Sequence, residues 1–379
     1  MNPLAPTMFL RRNAGKTVPL VLVITLAVML IQSIIALINS IPLSIQTIYR
    51  YTDAFLGVSP RLDPEKTPEF VKILTTNPPA EIEKVILCRG SGAQVKSIVG
   101  KWPFAVMAMD RPDIDYYLKR QGANGITGRY PKDGEPEMIV SEPVARNQNL
   151  KIGDIFLKPD EAENFSRMPV KVVGIIKAER WLMLSNKQYY ADTQPIPIDF
   201  ALVFAKDRTK QGEYDRWAEK KMKGEFAQLF AFHQIEKQSK EMFEVLYKII
   251  NLVIGVLVIV ITTMMGMLMN IYQSQRLVEF GLLQAIGFTK QQLLKRVLIE
   301  SMIVIIGGWF VGLAAARGVL MIAQATLMTP NAFALDVADP MALLYTVPVP
   351  IAILIVAIGT IWLRFRNFDP VAVVERRLV

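Results

Sequence analysis

Val18–Ile38 reads VPLVLVITLAVMLIQSIIALI, a stretch without a single charge. A bilayer core takes about 20 apolar residues in helical form, because lipid offers backbone N–H and C=O groups no other partner. The uncharged run is longer still, from Thr17 to Tyr49. A cleaved signal peptide would have an apolar centre of about 7–15 residues and a small-residue cleavage site. This run exceeds that length and lacks such a site. Three further runs have the same character: Ile249 to Gln275, Ser301 up to Asp336 with Arg317 the one interruption, and Pro340 to Leu363. The fold class predicted is therefore a membrane protein with four transmembrane α-helices, one followed at a distance by three. The 52% hydrophobic content and mean hydropathy of +0.30 come from these runs.

Lys and Arg in short loops set the orientation of such a chain. Arg11, Arg12 and Lys16 precede the first span. Arg276, Lys290, Lys295 and Arg296 lie between the second and third, and Arg364, Arg366, Arg376 and Arg377 follow the fourth. The short connection around Met328–Met341 has Asp336 and Asp339 and no basic residue. These counts predict a multi-pass protein with cytoplasmic termini and a cytoplasmic 271–298 loop. Those eleven basic residues, set against Glu279, Glu300, Asp369 and Glu375, leave +7 of the chain's net charge of +9. Topology thus accounts for the basic balance, and no nucleic-acid partner is expected.

The segment between the first two spans is expected outside the membrane as a mixed α+β domain. Glu83–Cys88, Phe104–Met109, Glu137–Ser141, Asp154–Leu157, Val170–Ile176 and Phe200–Ala205 read as short strands, Pro112–Arg120 and Glu142–Gln148 as helices. Gly90-Ser91-Gly92 and Lys132-Asp133-Gly134 read as turns, and Pro60–Pro68 and Gln194–Pro197 as connectors. Glu213–Lys248, free of proline, reads as one long charged helix with Phe226, Leu229 and Phe230 on a shared face, running into the second span. The first span continues towards Tyr51, with a bend expected at Pro42. Together these two helices suggest a stalk, the alternative being two separate surface helices. The divisions expected are 1–44 for a short N-terminal helix and first span, 45–240 for the external domain with its stalk helices, and 241–379 for the remaining spans and C-tail. Cys88 is the one cysteine, so an external domain of about 200 residues must rely on its own core.

Little in the chain points to catalysis. A phosphate-cradling loop needs G-x-x-x-x-G-K-[ST]. In Gly90–Ser97, Val95 stands where the second glycine belongs, so this stretch is read as an external loop and any ATP site is expected in another subunit. His233 is the single histidine, which removes zinc sites and His-based triads. No catalytic, cofactor-binding or metal-binding residue is assigned. Arg317, near the outer end of its span, suits a side chain that snorkels to the interface better than an intramembrane functional charge. Gly308, Gly312 and Ala316 recur every four residues, a small-residue face fit for close helix packing and compatible with an oligomer interface.

Between the second and third spans lies Arg276-Leu-Val-Glu279-Phe280-Gly281-Leu-Leu283-Gln-Ala285-Ile286-Gly287-Phe-Thr289-Lys290. Gly287 suits a helix stop and Thr289 the N-cap of the next helix. Phe280, Leu283 and Ile286 would share an apolar face, as in a surface helix offered to a cytoplasmic partner. This motif, with Glu300-Ser301 ten residues on, resembles the R-x-x-E-I-G-x-L-[RK]-A-[IL]-G-A-[ST] signature of FtsX-like/MacB-type ABC transporter permeases (type VII, the mechanotransmission class). Leu10–Asn13, Pro131-x₂-Gly134-Glu135, Ile139–Glu142, Gly153-Asp154, Val170–Gly174 and Asp369-Pro370-Val371 resemble other parts of the same family. Gln284 and Phe288 depart from it.

The resemblance implies a permease subunit of an ABC transporter, working as a homodimer with a separate cytoplasmic ATPase and at times a periplasmic adaptor. Arg276, Glu279, Phe280, Gly281, Leu283, Ala285, Ile286 and Gly287 would couple to that ATPase. ATP-driven motion would pass through the stalk to the external domain, most commonly for export of a lipophilic or peptide-like substrate. Lipoprotein release and cell-envelope regulation are alternatives within that family. A membrane-anchored sensor is the alternative outside it, although a simple anchor needs one span rather than four.

Overall fold

The computed structural model describes residues 14–60, 63–193 and 199–366. The Leu10–Asn13 and Asp369–Val371 motifs and the Gln194–Pro197 connector lie outside them. The described residues form two compact units, 14–39 with 245–324 and 336–366, and 40–244 with 325–335.

In the first unit the four apolar runs are helices: α1 (Ala14–Tyr49), α7 (Phe232–Ser274), α9 (Lys290–Ala323) and α11 (Pro348–Arg366), with α8 (Leu277–Ala285) between α7 and α9 and α10 (Pro340–Thr346) before α11. Four helical stretches, Thr17–Ala54, Phe232–Ser274, Lys290–Asn331 and Pro340–Leu363, are long and apolar enough to cross a bilayer. Pro42 lies inside α1, which continues as helix to Tyr49. The small-residue stripe of α9 has a definite use. A Cβ on Gly308 would sit 3.0 Å from Ile24 Cβ, and one on Gly312 would sit 2.7 Å from Val28 Cβ and 3.0 Å from the Thr25 carbonyl oxygen. Thr25 Oγ1 donates to the Gly308 carbonyl at 3.3 Å, and Ala316 is buried. Gly308 and Gly312 are thus packed against α1 of the same chain.

The second unit is built on a ten-stranded sheet of order β10-β1-β9-β2-β3-β8-β5-β7-β4, with β6 beside β7. Its strands are β1 (Leu56–Ser59), β2 (Ile82–Ser97), β3 (Gly100–Met109), β4 (Ile126–Gly128), β5 (Glu137–Ser141), β6 (Ile155–Leu157), β7 (Val170–Ile176), β8 (Met183–Asn186), β9 (Phe200–Ala205) and β10 (Gln228–Phe230). The pairs β3·β8 and β5·β7 are parallel and the rest antiparallel. Helices α2 (Thr67–Thr75), α3 (Arg111–Arg120), α4 (Glu142–Gln148), α5 (Lys187–Thr193) and α6 (Gln211–Lys221) complete it.

β9 shows why the core has two parts. All six of its residues are buried, and side chains alternate between sheet faces. Ala201, Val203 and Ala205 join a cluster with Phe70, Leu74, Tyr214 and Ala218 of α2 and α6. Phe200, Leu202 and Phe204 join the larger cluster around Phe104, Tyr117 and Trp181.

Two expectations fail in this unit. Gly90-Ser91-Gly92 is no turn, and Gly90–Ser97 is no loop, because β2 runs through them. Residues 82–88 pair with β9 and residues 89–97 with β3. Glycine is required at 90 by proximity, since a Cβ there would come 2.2 Å from the Val106 carbonyl oxygen. The single charged helix over Glu213–Lys248 is also absent. α6 stops at Lys221, Gly224 takes φ of +103°, a conformation costly for any residue with a Cβ, and β10 pairs with β1 before α7 begins. Phe226 and Phe230 are accordingly exposed, while Leu229 is half-buried in the strand.

Asn147 on α4 ties a distant segment into this unit. Its Oδ1 accepts from Lys96 N at 2.9 Å, and its Nδ2 donates to the carbonyls of Lys96 at 3.0 Å and Asn331 at 2.8 Å. Ser44 Oγ likewise donates to the Ala334 carbonyl at 3.2 Å and accepts from Ala334 N at 3.0 Å. The 325–335 segment, which overlaps the end of the apolar run Ser301–Asp336 and the short connection around Met328–Met341, is therefore part of the sheet-bearing unit.

Candidate functional site

The site is the turn from α7 through α8 into α9. α8 ends at Ala285, and Gly287 just beyond it takes φ of +105°, which only glycine adopts without strain. Thr289 caps α9 in a full capping box: its side chain accepts from Gln292 N, and the Gln292 side chain accepts from Thr289 N. These two devices fix α8 as a separate short helix.

What holds α8 in place is a four-residue charged clamp. Arg276 Nη1 donates to Glu300 Oε2 at 2.6 Å and its Nε to Glu279 Oε2 at 3.2 Å. Arg296 Nε donates to Glu300 Oε1 at 3.0 Å, and its Nη2 lies 3.5 Å from Glu279 Oε1. Two guanidiniums face two carboxylates, so the cluster is formally neutral. The side chains of Arg276, Arg296 and Glu300 are 4%, 5% and 3% exposed, against 36% for Glu279. Burial works against the charge on Arg276, but the hydrogen bonds of Glu300 and then Glu279 outweigh it and hold the guanidinium above its usual pKa. The Arg276 guanidinium also lies over the Phe280 ring, 5.0 Å from its centroid. An apolar layer completes the seat, with Phe280, Leu293, Val297 and Ile361 buried together and Leu277, Leu283 and Phe288 packed against them.

This geometry divides the residues expected to meet a partner. Arg276, Phe280 and Gly281 are buried within the chain, Glu279 and Leu283 are half-buried, and Ala285, Ile286 and Gly287 are exposed. Phe280, Leu283 and Ile286 do not share one environment, since Phe280 is 1% exposed and Ile286 77%. Leu282, not singled out in the sequence, is exposed beside Ile286. Arg296 and Glu300 were also missed as site residues. Their i,i+4 spacing on one helix was the available signal. Arg317 is exposed on α9. Among the described residues no group of three or more His, Cys, Asp or Glu side chains could hold a metal ion.

No curated protein sequence matches the chain. Among solved structures, the periplasmic region of MacB from Actinobacillus actinomycetemcomitans is similar at 10% identity, over 51% of this chain and 96% of that one, with a TM-score of 0.29. The extracellular domain of the ABC-type transporter YknZ from Gram-positive bacteria is similar at 12% identity, over 46% of this chain and 99% of that one, with a TM-score of 0.25. Residues 243–370, which contain the apolar part of α7, the clamp, α8, α9 and the last two helices, match the family model of the FtsX-like permease C-terminal domain.

Proposed function

We propose that this chain is the membrane subunit of an ABC exporter, coupled through α8 to a separate cytoplasmic ATPase, and that it works as a pair of copies. The observation that carries the reading is the clamp. A buried network of two arginines and two glutamates ties a nine-residue helix to the base of a span, while the same helix leaves Leu282 and Ile286 bare. A push on those two side chains would be handed to α9 rather than absorbed by a loose loop. α1 and α7, each an unbroken helix, contribute residues to both compact units and would carry the movement onward. The basic residues that flank the turn and the chain ends support a cytoplasmic position for α8 under the positive-inside rule. Export, rather than uptake, follows from the family resemblance, and a periplasmic adaptor is a further partner it allows.

The test is co-expression of the tagged chain with candidate ABC ATPase subunits, followed by reconstitution into nanodiscs. Ile286→Asp puts a charge on the exposed tip without touching the clamp. It is expected to abolish co-purification of the ATPase and the permease-dependent part of its ATP hydrolysis. Wild-type levels of both in that variant would refute the reading.

A further inference from the structure

The sheet-bearing unit contains a cavity of about 580 Å³, within the range of about 300–1,000 Å³ usual for small-molecule sites. Its wall is made by the C-terminal part of α1, by β1, β2, β3, β9 and β10, and by the start of α7. Tyr49, Trp102, Phe104, Leu202, Phe230 and Met242 are among its apolar lining. Among the described residues that line it, none is Asp, Glu, Lys, Arg or His. Two of its hydroxyls are already engaged: Tyr49 donates to the Pro103 carbonyl, and Ser91 Oγ lies 3.1 Å from the Tyr190 hydroxyl.

Ser239 is different. It lines the cavity, is 4% exposed, and its Oγ has no hydrogen-bond partner. A helical serine ordinarily satisfies itself on the carbonyl four residues back, yet here that bond is not made. A buried hydroxyl without a partner costs about 1–3 kcal/mol. An occupant that supplied the missing bond would recover it.

We infer that this cavity binds a neutral single-chain lipid, the chain lying against the aromatic and aliphatic wall and an uncharged ester, amide or alcohol group meeting Ser239. Charge is what narrows the class. A carboxylate or phosphate here would lose its hydration and find no cation in the wall, a cost that neutral polar groups escape. Gly92 gives the site a test position. It lines the cavity, its φ lies outside the left-handed region, and a Cβ there meets no atom within 4 Å. Gly92 is exposed and lines the cavity, so a leucine there is expected to intrude on its opening. The inference stands on this unit alone and does not depend on ATPase coupling.

The full chain in phosphatidylcholine nanodiscs is photolabelled with a monoacylglycerol carrying a chain diazirine, and adducts are mapped by mass spectrometry. Saturable adducts are expected on peptides covering 91–107 and 228–242. Excess unlabelled monoacylglycerol should compete, and the fatty-acid anion of equal chain length at pH 8 should not. Gly92→Leu should lower labelling at least roughly tenfold, and Ser239→Ala should weaken half-saturation roughly 2–10-fold, the worth of one hydrogen bond. Protection of the buried Cys88 from maleimide verifies that both variants keep the fold. Labelling that does not saturate, that falls only on membrane-span peptides, or that persists undiminished in folded Gly92→Leu overturns the site. Equal competition by the anion overturns the neutral class.

Discussion

Substituting Glu300 with leucine takes the buried carboxylate away from Arg276 and Arg296 at once. Both guanidiniums are at least nine-tenths buried and donate to it at 2.6 and 3.0 Å. Hydrogen bonds to charged groups contribute about 1.5–3 kcal/mol each, and breaking a buried ion pair by removing one partner costs about 3–5 kcal/mol. The loss should fall on the seating of α8, so the assay is hydrogen exchange of amides 277–286 in nanodiscs. At a factor of ten per 1.4 kcal/mol, exchange there should accelerate roughly 10²–10³-fold. Glu279→Gln, at a carboxylate 36% exposed, should cost under about 1 kcal/mol because water screens it. A triple variant, Arg276→Met, Arg296→Met and Glu300→Leu, should recover most of the loss, since an apolar replacement leaves no unpaired charge behind. The reasoning is refuted if Glu300→Leu accelerates exchange no more than Glu279→Gln, or if the triple variant is worse than the single one.

Gly312→Leu should destabilise the membrane helices by about 1–3 kcal/mol through overpacking against Val28 and Thr25; cysteine pairs engineered between α1 and α9 should crosslink less efficiently, and the copy number measured by light scattering should stay the same. Asn147→Ala strands the Lys96 amide and two carbonyls, so exchange at 96–97 and 331–332 should quicken by the equivalent of about 1–3 kcal/mol. Burial pushes the Asp215 carboxyl up to about 7, against the pull of its Gln211 hydrogen bond and of Arg216, with Asp53 adding to the rise. Its folded pKa exceeds the unfolded value of about 3.9, so the stability it allows is full below about pH 4 and is lost as pH rises through about 7. Asp215→Asn should flatten that slope and raise the resistance of 200–222 to exchange at pH 8.

The membrane helices were legible because a bilayer makes a stark demand: about 20 apolar residues and every backbone group bonded internally. Gly287 and Thr289 were legible because caps act over three or four residues. Gly90 was misread for the opposite reason. A serine between two glycines reads as a turn unless one knows that the Val106 carbonyl lies where the Gly90 Cβ would be. β10 was missed because three residues carry no period, and only pairing with β1 gives them a strand conformation. Asn147 and Asn331, 184 positions apart, share no local pattern at all. Arg296 was counted as a topological charge, and its burial beside Glu300 depended on a partner twenty residues earlier.

The two features that seemed to face outward, the charged ends of the turn motif and the small-residue stripe, are both consumed within the chain. Arg276 is spent on Glu300 and Glu279, and Gly308 and Gly312 on Ile24 and Val28. A partner ATPase would therefore have to grip apolar side chains, since Leu282 and Ile286 are what α8 leaves bare. That changes which substitutions are informative. Replacing Arg276 or Glu300 would impair coupling by loosening α8 itself, and the ATPase would still find its contact surface chemically intact. Replacing Ile286 would remove the contact from a helix that remains seated. The proposed coupling thus separates into two steps, seating and grip, and only the second belongs to the interface.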